Sequence, residues 1–159
     1  MAEVLDLWKR ASGLPWGDRV FSYVFARRAP YFATVRPRFT DVRPHHASLG
    51  IRDRRRVHNH LGTIHAIALC NGLEAAMGAL AEATITADRR WIPKGMEVTY
   101  TAKADSDVVC HAETTPADWV GPDVPVRVHA VRRDGTTVVE GTIRLWVTDR
   151  PSQPNPRLS

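Results

Sequence analysis

Between Thr63 and Ala83 the chain carries an apolar or small residue at nearly every position, and no Asp, Glu, Lys or Arg occurs there before Glu74. Ile64, Ile67, Ala68, Leu69, Leu73, Ala75, Ala76, Met77 and Leu80 fall on nearly all sides of a helical wheel rather than along one stripe. A helix of this kind cannot rest on a protein surface, because it offers no face suited to water. It has to be enclosed by the rest of the fold. Its many Ala and Gly residues let a sheet approach the helix backbone closely. Whatever else the chain forms must therefore wrap around residues 63–83.

The flanking sequence supplies the wrapping. Residues 3–12 read as a short helix, with Val4, Leu5, Trp8 and Ala11 at helical spacing and Gly13 and Pro15 ending it. Asp18 is a candidate N-cap for a second helix with an apolar face of Val20, Phe21, Val24 and Phe25, and Pro30 stops that helix. Tyr31, Ala33 and Val35 alternate with other residues, which predicts a strand, and Ala47 to Arg52 predicts another. Residues 57–62 form a loop with Gly62 as its pivot. Beyond Asp88 the chain is β-rich. Met96, Val98 and Tyr100 alternate, Val108 to Thr114 follows, and Val124, Val126, Val128 and Ala130 alternate in the next strand. Asp134-Gly135 is a hairpin signal, and Val138 to Thr148 returns from it.

Helices, two strands, one long buried helix and an antiparallel meander make an α+β fold. The 159 residues suit one core domain. The expected division is a helical extension at 1–30, the core domain at 31–149 and a disordered, proline-bearing tail at 150–159. Long edge strands on a half-exposed sheet need cover, so a homodimer or a dimer of dimers is expected.

Charge narrows the function classes less than the helix narrows the fold. Lys and Arg number 22 against 17 Asp and Glu, giving a net charge of +5. The basic residues cluster at Arg52 with Arg54 to Arg56, at Arg89-Arg90 with Lys94, and at Arg132-Arg133. A solvated surface and a phosphorylated small molecule account for such clusters equally well. No nucleic-acid-binding motif or basic tail accompanies them, so no nucleic-acid partner is expected. No run approaches 18 consecutive apolar residues, and no membrane span is expected. The N-terminus lacks the basic-then-apolar order of a secretory signal. Cys70 and Cys110 form no CxxC pair and are expected to be free thiols in a cytoplasmic protein.

The chemistry gathers at the mouth of the long helix. Asn59-His60-Leu61-Gly62-Thr63-Ile64-His65-Ala66 brings an amide, an imidazole and a helix-start N–H together, and Glu74 follows nine residues past His65. This run resembles the hotdog-fold thioesterases of the PaaI and 4-hydroxybenzoyl-CoA type over roughly residues 31–149. It most resembles the DUF4442 group, in which the Asn-His-Leu-Gly-Thr run and Arg90-Trp91-Ile92-Pro93-Lys94-Gly95 look typical. The resemblance implies a hotdog fold, a long central helix wrapped by an antiparallel sheet, and hydrolysis of an acyl-CoA thioester. It implies no cofactor beyond the coenzyme A of the substrate. It assigns Asn59 to positioning the thioester or the attacking water, His65 to the loop–helix junction, the Ala66 N–H to the carbonyl oxygen, and Glu74 to the role of general base or nucleophile. It also implies a site at a dimer interface, with Asn59 and Ala66 of one subunit facing Glu74 of the other.

Physical chemistry makes the same arrangement reasonable. Thioester hydrolysis places negative charge on the carbonyl oxygen, which a backbone N–H at a helix N-terminus can stabilise. Desolvation raises the pKa of a carboxylate in an apolar interface, so that it can accept a proton from water near neutral pH. Ala66 and Glu74 are eight residues apart, about 12 Å along one helix, too far to touch one carbonyl within a single chain. Two positions depart from the resemblance. Ala66-Ile67 stands where a glycine pair is usual, narrowing the approach, and Pro93-Lys94 stands where Ser or Thr is often found. A non-catalytic acyl-CoA-binding protein is therefore the second reading.

Simpler roles remain open for each residue. Asn59 can hold the loop by Asx-type bonds, His65 can cap the helix, and Glu74 can pair with an arginine or with Lys94. His58-x-His60 fits same-face positions on a strand, but the next acidic residue is Glu74 inside a helix and no further HxH or HExxH occurs, so no metal is expected. Trp91 beside Arg90 and Lys94 forms a candidate rim for the phosphates and adenine of coenzyme A, with Gly62 a further candidate contact in the loop.

Overall fold

A computed structural model of the chain describes residues 2–150. The disordered tail expected at the C-terminus lies, from residue 151 on, outside the described residues. Three α-helices and six strands follow in the order α1 (Ala2–Ser12), α2 (Gly17–Arg28), β1 (Arg38–Arg43), β2 (His46–Ile51), α3 (Ala66–Thr84), β3 (Arg89–Tyr100), β4 (Val108–Glu113), β5 (Asp123–Arg132) and β6 (Thr137–Asp149). The strands form one antiparallel sheet in the order β1-β2-β4-β5-β6-β3. The sheet wraps α3, in which Leu73, Ala75, Ala76, Ala79, Leu80 and Ala81 are fully enclosed. By length and composition alone α3 could cross a membrane, but 61% of its most apolar window is buried inside the protein.

Close approach explains the small residues of α3. A Cβ placed on Gly72 would lie 2.5 Å from Ile51 Cδ1 and 2.8 Å from Cys110 Sγ. The glycine lets the helix settle onto β2 and β4. Both cysteines are free, Cys110 is buried, and burial together with the nearby Cys70 pushes its thiol up to about 12. On the other side of the core α1 and α2 contribute Trp8, Phe21 and Phe25; the Phe21 ring lies 5.0 Å from Trp8 and 5.9 Å from Phe25 and meets Phe39 edge-on at 5.3 Å.

Three elements differ from the sequence expectation. Residues 31–35, expected as a strand, form instead a 3-10 helix, Pro30–Thr34, capped by Val35. Pro30 presets the backbone at its start, and the Thr34 hydroxyl donates back to the Tyr31 carbonyl at 2.7 Å. Those local bonds prevail because no neighbouring strand is there to pair with. β1 has no counterpart in the expected elements. A register shift between Phe39 and Asp41 puts Phe39 and Val42 on the same buried face three residues apart, which breaks the period of two. Trp16, held at φ 68, is the N-cap of α2, and Asp18 sits in the first turn, bonded to Arg38 at 2.6 Å rather than capping the helix.

Candidate functional site

The loop before α3 is organised by its own side chains. Asn59 Oδ1 accepts from the N–H groups of Leu61 at 2.9 Å and Thr63 at 3.2 Å, and Asn59 Nδ2 donates to Thr63 Oγ1 at 3.0 Å. Gly62 turns the chain at φ 78, a left-handed conformation that favours glycine. The Ile64 N–H donates to Ala104 O at 2.9 Å and the His65 N–H to Val57 O at 2.8 Å. These bonds keep residues 63–65 extended, so α3 starts at Ala66 rather than Thr63. His58 is hydrogen-bonded to Asp53, whose own N–H donates to Asp107 Oδ1 at 2.8 Å.

His65 is the N-cap of α3. Its Nδ1 accepts the Ile67 N–H at 3.0 Å, so the neutral ring carries its proton on Nε2. The Ile67 N–H is thereby spent. The Ala66 N–H, at the first helical position, has no hydrogen-bond acceptor among the described residues. It is an orphan donor at the positive end of a helix of 19 residues, suited to an anionic oxygen. A cavity of about 210 Å³ opens at this end of α3, lined by His65, Ile67, Ala68, Asn71, Tyr31 and Arg56 among others. Asn71 is 5% exposed; its Nδ2 donates to Tyr31 O and Thr34 Oγ1, while its Oδ1 is buried without a partner.

Glu74 is half-buried two turns further along α3 and makes no hydrogen bond or ion pair among the described residues. One turn before it, Cys70 Sγ lies 3.1 Å from the Tyr100 hydroxyl at the end of β3. That hydrogen bond, with burial, raises the phenol to about 12. Neither Cys70 nor Tyr100 emerges from the sequence reading as a site residue. The i, i+4 spacing of Cys70 and Glu74 and the alternation of β3 are the signals that place them together.

The proposed rim residues are not brought together with Glu74 in the chain. Trp91 packs on α3, its ring 3.6 Å from the position of a Cβ at Gly78, and its Nε1 donates to Glu82 at 2.9 Å. Arg90 and Lys94 lie on the opposite face of the sheet. Arg90 bonds Thr148 Oγ1 at 3.2 Å, and Lys94 sits 4.6 Å from the Trp146 ring centre and 3.9 Å from Asp123. The Lys94–Glu74 pair considered from sequence does not form.

A family model described as "Domain of unknown function (DUF4442)" matches residues 17–147. Among solved structures, a structural-genomics protein is 37% identical with a TM-score of 0.82, the match covering 94% of this chain and 100% of that one. A Pseudomonas aeruginosa protein of unknown function, named a probable thioesterase, is 17% identical with a TM-score of 0.74, covering 86% of this chain and 97% of its own. A thioesterase family protein from Silicibacter pomeroyi is 19% identical with a TM-score of 0.69, covering 86% of this chain and 100% of its own. No curated protein matches. A long α3 enclosed by one six-stranded antiparallel sheet, shared with these structures, is the hotdog fold, and the chain belongs to the DUF4442 family.

Proposed function

We propose that this protein is a thioester hydrolase acting on acyl-CoA, at a site completed by a second copy of the chain. Glu74 carries the reading. A half-buried carboxylate in an otherwise apolar helix normally has a bonding partner, and Glu74 has none among the described residues. The unused Ala66 N–H supplies the complementary part, a donor for the developing oxyanion. In this reading the acyl carbonyl sits on the Ala66 N–H of one subunit. Glu74 of the other subunit either takes a proton from the attacking water or attacks the thioester carbon itself to give a mixed anhydride that water then hydrolyses; the carbon–sulfur bond breaks, and coenzyme A leaves as the thiolate and takes up the proton released from water. Asn59 supports the donor by fixing the loop that sets the start of α3. The hotdog neighbours named as thioesterases add support from shared architecture.

A second reading, an acyl-CoA-binding protein without turnover, is favoured by one observation. Ile67 is 55% exposed beside Ala66 and crowds the approach to the donor. A panel of short, medium, long and aromatic acyl-CoA substrates, assayed with wild type and Glu74→Ala, separates the two. Hydrolysis by wild type and its loss in the variant, with the fold intact by circular dichroism, is the expected result. Thermal stabilisation by acyl-CoA without hydrolysis favours the binding protein, and neither turnover nor stabilisation sinks both readings.

A further inference from the structure

The arginine cluster at residues 52–56 is not a scattered surface charge. With α2 and the start of β1 it builds one side of a groove of about 670 Å³, lined by Arg19, Tyr23, Arg36, Arg38, Arg52 and Arg54 among others. That volume suits a small molecule. Of the five arginines only Arg38 has a carboxylate within bonding distance, Asp18 at 2.6 Å. Arg36, Arg52 and Arg54 make no side-chain hydrogen bond or ion pair among the described residues, and Arg54 Nε is buried with no acceptor. Burial and the neighbouring Arg36, Arg56 and Arg52 charges hold the Arg54 guanidinium below its usual value, against the opposing charge of Asp107. Cationic side chains that outnumber the carboxylates near them favour an anion that satisfies several of them. Guanidinium groups match phosphate oxygens in pairs. Tyr23 also lines the groove, its ring covered by Arg27 at 5.6 Å and its hydroxyl bonded to Arg27 at 3.0 Å.

The groove also adjoins the candidate site. Ala33 and Arg36 line the groove, while Thr34 and Val35 line the cavity at the start of α3. Arg54 lines the groove and Arg56 the cavity. The two openings are thus flanked by the same two chain segments.

We propose that Arg36, Arg52 and Arg54 form a subsite for a nucleotide carrying two or more phosphate groups. Its identification as the nucleotide end of an acyl-CoA substrate rests on the hydrolase reading above, and the phosphate site itself does not.

Calorimetry on the full chain with coenzyme A, adenosine 3′,5′-bisphosphate, inorganic pyrophosphate and pantetheine tests the site, using wild type and Arg52→Gln/Arg54→Gln. The expected pattern is binding of coenzyme A and the bisphosphate about tenfold or more tighter than pantetheine, and loss of about tenfold or more in the double variant. Pyrophosphate binding as tightly as coenzyme A overturns the nucleotide assignment in favour of a free phosphate compound. The variant should melt at or above the wild-type temperature, because it removes repulsion and no bond; a cooperative melt establishes that it folds. Arg36→Gln, at a separate segment, should repeat the loss of affinity. Equal affinity for coenzyme A and pantetheine, or unchanged coenzyme A affinity in both variants, overturns the subsite. Absent turnover with the binding differences intact sinks the hydrolase reading alone.

Discussion

The His65 ring decides which backbone donors the start of α3 has to offer. By accepting the Ile67 N–H it closes one and leaves the Ala66 N–H open. Proline at position 66 tests the open donor directly. The first helical position tolerates proline, and His65 already holds φ −65 and ψ 140, the extended conformation that a residue before proline requires. Ala66→Pro should therefore fold and melt like wild type while kcat on acyl-CoA falls about a hundredfold or more. A variant with undiminished kcat removes the Ala66 N–H from the mechanism. At this scale the sequence told a partial story. The spacing from Asn59 to Glu74 located the donor and the carboxylate. It left open that Asn59 spends its amide on Leu61 and Thr63, because side-chain-to-loop bonds follow from the turn geometry and not from residue type. The Cys70–Tyr100 contact was also missed, since it joins residues 30 positions apart through the wrapping of β3.

Among the elements, α3 was the most legible and β1 the least. An all-round apolar helix admits one environment, whereas β1 hides its buried face behind a bulge. The packing of α3 makes a sharp prediction. In Gly72→Ala the new methyl meets Ile51 and Cys110, which are both fully buried and have little room to yield. Overpacking of this kind costs about 1–3 kcal/mol, to be read as a lower urea midpoint. The opposite face of the sheet carries a different stress. His111 and His129, paired across β4 and β5, stack at 4.7 Å and 9°, with His46 6.1 Å from His111. Burial first, then the positive charge that His129 and His46 can acquire, lowers the His111 pKa, while Glu113 opposes them. The folded state thus binds this proton less readily than the unfolded chain. Stability should be full above pH ~6.5, the ordinary histidine value, and should fall as pH drops through the lower folded value. His129→Gln should flatten that loss in denaturant melts between pH 5 and pH 7, both test conditions set around ~6.5. An unchanged slope removes the stacked pair as its source.

For the whole molecule the open question is the partner. β3 is a strand of 12 residues at one edge of the sheet, and its Ile92, Met96 and Tyr100 side chains are exposed. An uncovered edge of this length invites pairing with a second copy, and the eight-residue separation of Ala66 and Glu74 requires one if both act on a single thioester. Nothing in a single sequence records which edge finds a partner; the dimer is expected from strand length, from the resemblance and from the Ala66–Glu74 separation. The strongest test mixes two inactive proteins. Glu74→Ala keeps the donor and lacks the carboxylate; Ala66→Pro keeps the carboxylate and lacks the donor. If one site draws on both subunits, a heterodimer of the two variants holds one complete site and one doubly defective site. Random exchange makes about half of the dimers mixed, so activity should recover to about a quarter of wild type. Recovery should follow subunit exchange in time, and a Met96→Lys change in both partners, placing charges at the edge, should prevent it and leave monomers by sedimentation. A mixture that stays inactive after complete exchange returns the donor and the carboxylate to the same chain. At about 12 Å apart along α3 they could not then act on one carbonyl.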